Sequence, residues 1–213
     1  MKKSFIIQHL LLLMAFCLAG NTATAQENLT SRLTYSARIT FQAYGLPFQN
    51  LGKSLRHAGT ALDIGVPLNK THTLQQTLTV GYQGHRQHET GIYVHTQFNY
   101  RPLLFQALEP SVGIGVGRII SHSNPGNRYY ELENSTWKKS SKQTQSHWLA
   151  PISLALGYRT TLSNGHTVTP FVGYEFMPII NYNSAFVALP TSLLSVGTRF
   201  NFQNRLHTDK LLK

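Results

Sequence analysis

Apolar and polar residues alternate with a period of two along most of the chain beyond residue 31. That period belongs to strands, whose successive side chains point to opposite faces. It predicts eight segments, at 32–44, 57–68, 73–84, 90–101, 108–120, 146–160, 166–177 and 193–202. Each has about ten residues or more, the length a tilted strand needs to cross a hydrocarbon layer. The first segment also reads as an amphipathic arm. Connections after odd-numbered segments are mostly long: 45–56, 121–145 and 178–192, with 85–89 shorter. Those after even-numbered segments are compact, around Asn69-Lys70, Pro102 and Ser163-Asn164-Gly165, where Asn-Gly favours a tight hairpin turn. No solenoid repeat and no interdomain linker interrupts the series. The pattern predicts an all-β fold, a closed antiparallel up-and-down barrel of about eight strands.

The two faces of these segments differ in kind. One is bulky and apolar, with Leu62, Ile64 and Val66, Leu78 and Val80, Ile92 and Val94, Val112, Ile114 and Val116, Ile152, Leu154 and Leu156. An eight-stranded interior is only just wide enough for side chains to fill, so this stripe is expected to face outward, into lipid. Aromatic residues collect at its ends: Phe41, Tyr82, Trp148, Tyr174 and Phe176 at one, Tyr35, Phe98, Tyr100, Tyr158, Phe200 and Phe202 at the other. Two aromatic girdles around an aliphatic band are the expected marks of a lipid-facing wall, because amphipathic rings prefer the headgroup boundary. The long connections then lie outside and both termini in the periplasm.

The opposite face is small and polar, with Gly65, Gly81, Gly113, Gly115, Gly117, Gly157, Gly173 and Gly197 beside Thr77, Thr79, Gln97 and Asn99. Small residues leave room for the few long ones, and those are charged: Arg38, Asp63, Arg101, Glu109, Arg159, Glu175 and Arg199. A lone charge in a low-dielectric interior is costly, so these residues are expected to pair and plug the lumen. Arg101 is expected near Glu109 across one turn. Arg38 and Arg199 are expected to meet at the closing seam, bridged by Glu175 or Asp63.

Composition adds the compartment. Lys2 and Lys3, an apolar run at 10–19 and Ala23-Thr24-Ala25 read as a secretory signal over 1–25, too short to span a membrane. The single cysteine, Cys17, lies inside it, so residues 26–213 carry no disulfide and no thiol chemistry. Without Lys2 and Lys3 the chain keeps 17 basic against 8 acidic residues, a formal charge of +9. Export argues against nucleic acid as the anionic partner, which leaves outer-membrane lipid and lipopolysaccharide. The domain reading is a signal peptide at 1–25, a barrel at 26–202 and a basic periplasmic tail at 203–213.

On these grounds the chain resembles the eight-stranded outer-membrane barrels, such as the OmpA transmembrane domain and OmpX-like proteins, over roughly 32–202. Ser195, Gly197, Phe200 and Phe202 match the assembly signal of such proteins, a polar residue, a glycine and two aromatic positions, although eleven residues follow here. The resemblance implies insertion by the barrel-assembly machinery into the cell outer membrane of a Gram-negative bacterium, as a monomer without a cofactor. Its implied role is non-enzymatic, structural or surface-interacting.

Candidate chemistry is sparse. His85-x-x-His88 and His95 invite a metal, but no compact His/Asp/Glu cluster has zinc-ligand spacing, and no metal site is expected. His122-Ser123-Asn124, with Glu131 and Glu133 following, resembles the H-x-S-N motif of barrel enzymes that deacylate lipid A, with the intervening residue missing. Adjacent strand residues face opposite sides, so His122 and Ser123 are poorly placed as base and nucleophile. A lipid A deacylase is thus the weaker alternative, beside a soluble periplasmic barrel that binds a small apolar ligand. Segment 121–145, with Arg128, Lys138, Lys139 and Lys142 among Tyr129, Tyr130 and Trp137, could touch lipopolysaccharide phosphates or an external partner.

Overall fold

The computed structural model describes residues 33–44, 57–84, 89–123, 130–133, 136–139, 144–163, 165–182 and 188–202. The proposed leader, the 203–213 tail, His85 and His88 lie outside them. Every regular element among the described residues is a strand. In chain order these are β1 (Thr34–Tyr44), β2 (Ala58–Pro67), β3 (Leu74–Gly84), β4 (Glu89–Tyr100), β5 (Leu108–Ser123), β6 (Tyr130–Glu133), β7 (Thr136–Lys139), β8 (Thr144–Leu149), β9 (Ile152–Tyr158), β10 (Thr160–Thr161), β11 (Thr167–Phe176), β12 (Ile179–Ile180), β13 (Ala188–Leu189) and β14 (Thr191–Asn201).

They close into an antiparallel up-and-down barrel of eight staves. β1 to β5 pair in sequence, β5 pairs β8 and β9, β9 pairs β11, β11 pairs β14, and β14 returns to β1. The 32–44 segment is therefore a wall strand, not an arm: Ser36 faces Asp63 on one neighbour and Arg199 on the other.

The predicted stave at 146–160 is broken, and the cause is proline. Gly117↔Leu149 and Ile114↔Ile152 belong to one unbroken register on either side of Pro151. Gly115 N–H still donates to the Pro151 carbonyl at 2.9 Å, but Pro151 has no N–H to return. The same device separates β11 from β12 at Pro178 and β13 from β14 at Pro190. Within 121–145 the described residues are strand: β5 runs on to Ser123, and β6 and β7 pair with each other.

Alternation assigns the faces. Outward positions carry exposed aliphatic residues through the middle of every stave, among them Leu62, Ile64, Val80, Ile114, Leu154 and Val196. Tyr82 and Trp148 stand toward the long-connection end of this wall, and Phe98, Tyr100 and Tyr158 toward the short-turn end. Tyr35, Phe41, Tyr174 and Phe176 are half-buried.

Candidate functional site

The lumen holds the charged residues, in two groups. Toward the middle, Arg38 on β1 lies between two carboxylates: its Nη1 is 2.9 Å from Glu175 Oε2 and its Nη2 is 3.4 Å from Asp63 Oδ1. Asp63 also accepts from Ser36 Oγ at 2.5 Å and Thr79 Oγ1 at 2.7 Å. Glu175 accepts from Gln97 Nε2 at 3.3 Å, and His95 Nε2 stands 3.4 Å from its Oε1. The carboxylates are thus surrounded by donors, as buried charge requires.

Toward the short-turn end, Glu109 takes two guanidinium groups. Arg199 Nη1 is 2.7 Å from Oε1, while Arg159 grips Oε2, with its Nε at 3.2 Å. Arg199 also lies over the Phe171 ring, 4.2 Å from its centre. Arg101 departs from expectation: it donates to Gln75 Oε1 at 2.8 Å and Thr77 Oγ1 at 3.4 Å, not to Glu109. Glu109 is held instead by Arg159 and Arg199. Arg38 and Arg199 do not share a carboxylate as expected; each closes a separate cluster. The free space left among these groups is about 40 Å³, lined by polar and charged side chains.

The inward face also carries a layer the alternation did not reveal. Ala61, Tyr93, Ile119, Leu149, Met177, Ile179 and Leu193 are buried together in the lumen, with Tyr182 and Leu189 against them. Ala61, Tyr93 and Met177 each stand one inward position nearer the long-connection end than Asp63, His95 and Glu175. An apolar layer therefore caps the charged one. It went unread because these residues sit on the polar stripe and were outnumbered by glycines. Gly81 is the clue: a Cβ there would lie 2.1 Å from Tyr93 Cζ, so the missing side chain is the space the ring fills.

The remaining candidate residues are dispersed. Ser195 and Gly197 point inward on β14, and Phe200 and Phe202 outward. His122 faces outward, its Nδ1 3.0 Å from Thr144 Oγ1. Asn124 and the side chains of Ser123, Glu131 and Glu133 lie outside the description. Arg118 escaped the sequence reading altogether. It is an exposed cation in the even-numbered series of β5 that otherwise runs Val112, Ile114, Val116, Ile120, and that single charge in an apolar stripe was the available signal.

No protein-family model and no curated protein matches the chain. Solved structures do. Neisserial surface protein A (NspA) is similar over 80% of this chain and 96% of its own, at 12% identity and a TM-score of 0.54. The N-terminal β-barrel domain of Pseudomonas aeruginosa OprF is similar over 79% and 97%, at 13% identity and 0.45. Ail, the attachment invasion locus protein of Yersinia pestis, is similar over 80% and 97%, at 11% identity and 0.41. At these identities the likeness is one of fold: this chain has the small eight-stranded barrel seen in NspA.

Proposed function

We propose that the chain is a non-enzymatic barrel of the outer membrane that carries its long connections as an interaction surface. The observation that supports this reading is the wall. Large apolar side chains, from Leu62 and Ile64 through Ile114 to Leu154 and Val196, are exposed around the whole circumference. A continuous apolar surface of that extent has no stable place in water, whereas acyl chains solvate it without cost. The filled lumen fits a scaffold better than a channel. The long connections, with the β6–β7 hairpin among them, are then the part free to meet partners.

The test is membrane fractionation followed by gel electrophoresis with and without boiling. The expected result is recovery with the outer membrane and a folded band that moves faster than the boiled one. Recovery of folded protein in the soluble fraction would overturn the reading.

A further inference from the structure

On the proposed membrane reading, one outward residue stands out. Among the outward strand positions whose side chains are described, Arg118 is the one formal charge; the rest are apolar, Gly, Thr, Ser, Gln, Pro or His. The carboxylates whose side chains are described in the barrel staves, Asp63, Glu109 and Glu175, are all buried in the lumen. Among the described residues, no carboxylate on the wall therefore neutralises this guanidinium.

Arg118 is also fixed in place. It faces Val94 on β4 and Trp148 on β8, and Trp148 faces Ile180 on β12, so one row across the wall reads Val94, Arg118, Trp148, Ile180. Its guanidinium carbon lies 5.0 Å from the centre of the Trp148 ring. This cation–π contact holds the guanidinium beside the ring, and because Arg118 is exposed its N–H donors are within reach of a ligand.

The register gives the depth. Tyr158 faces Leu108 at the short-turn end of β5, ten residues before Arg118. Ten residues span about 33 Å of strand, and at a tilt of ~40° this is about 25 Å of height, the thickness of the apolar band. Tyr158 and Trp148 thus bracket one band, and Arg118 stands at its far boundary. Beyond it come Ile92 and Ile120, then the polar row Thr90, His122 and Thr144. A cation near that boundary, with aliphatic rows on either side of it and a polar row one step further out, matches a phosphate whose acyl chains run down the wall.

We infer that Arg118, stacked on Trp148, binds the phosphate of an anionic lipid headgroup in the leaflet at the long-connection end. The site rests on the membrane reading but adds a ligand class to it. The test uses Trp148 as the reporter in a Trp137→Phe background. The protein is folded into phosphatidylcholine vesicles holding a minor fraction of brominated phosphatidylglycerol or, in parallel, brominated phosphatidylcholine. Quenching by the anionic lipid is expected to show about fivefold preference over the zwitterionic one, the scale of one basic side chain at an anionic surface. Arg118→Gln should reduce that preference to parity, and Arg118→Lys should retain part of it. Equal preference in Arg118→Gln and the parent would overturn the site. Displacement of the lipid by inorganic phosphate would overturn the lipid assignment in favour of a free-anion site. No quenching by either brominated lipid would remove Trp148 from the membrane and overturn the membrane reading itself.

Discussion

Glycines set the lumen's contents by what they leave out. At Gly113 a Cβ would lie 2.3 Å from Asn99 Oδ1, and at Gly197 it would lie 2.6 Å from Arg38 Cβ. Each glycine faces a larger residue across the ladder, so a narrow barrel interior admits rings and guanidinium groups in turn. The Gly81–Tyr93 pair is the tightest of these and makes the clearest prediction. Gly81→Ala should destabilise the barrel by about 1–3 kcal/mol through overpacking against the ring. In a Tyr93→Ala background the same change should cost much less, because the ring it strikes is gone. Urea unfolding of the four proteins in vesicles checks this; equal costs in both backgrounds would separate the two residues. The charged positions were legible in the sequence as a set, because each breaks a small, polar stripe. Their pairing was not. Which oxygen each arginine reaches depends on stagger between staves, and alternation within one stave carries no information about that.

The staves themselves were legible because period two is imposed by geometry wherever the two faces meet different surroundings. The predicted segments and the observed strands agree to within a few residues at nearly every end, including β1, whose pairing with β2 and β14 closes the wall. What alternation hid was the proline breaks, since proline interrupts a ladder without shifting its phase. Pro151 interrupts one stave while Leu149 and Ile152 keep the same register against β5. Replacing Pro151 with alanine restores a donor opposite the Gly115 carbonyl. The expected outcome is a new slowly exchanging amide at position 151 and fusion of β8 with β9, with a stability change within about 1 kcal/mol, the worth of one hydrogen bond set against a freer unfolded chain. Amide exchange by NMR in detergent or nanodiscs reads it. Fast exchange at 151 would mean the break has another cause.

For the whole molecule, the fold reverses the usual distribution of side chains. Charge is inside, where Asp63, Glu109 and Glu175 hold Arg38, Arg159 and Arg199, and hydrocarbon is outside. The apolar layer of Tyr93, Ile119, Leu149, Met177, Ile179 and Leu193 adds a second seal above the charges. The three interior carboxylates are held by their own guanidinium partners, and on the proposed reading the exterior is matched by a solvent of acyl chains. The direct test is a series of spin labels along β4 from Ile92 to Tyr100 in lipid vesicles. Labels at Ile92, Val94, Phe98 and Tyr100 should collide with oxygen dissolved in the hydrocarbon and be shielded from a water-soluble nickel complex, while those at Tyr93, His95, Gln97 and Asn99 should be shielded from both. Nickel access at Val94 and Phe98 would show the apolar wall standing in water and would contradict the account.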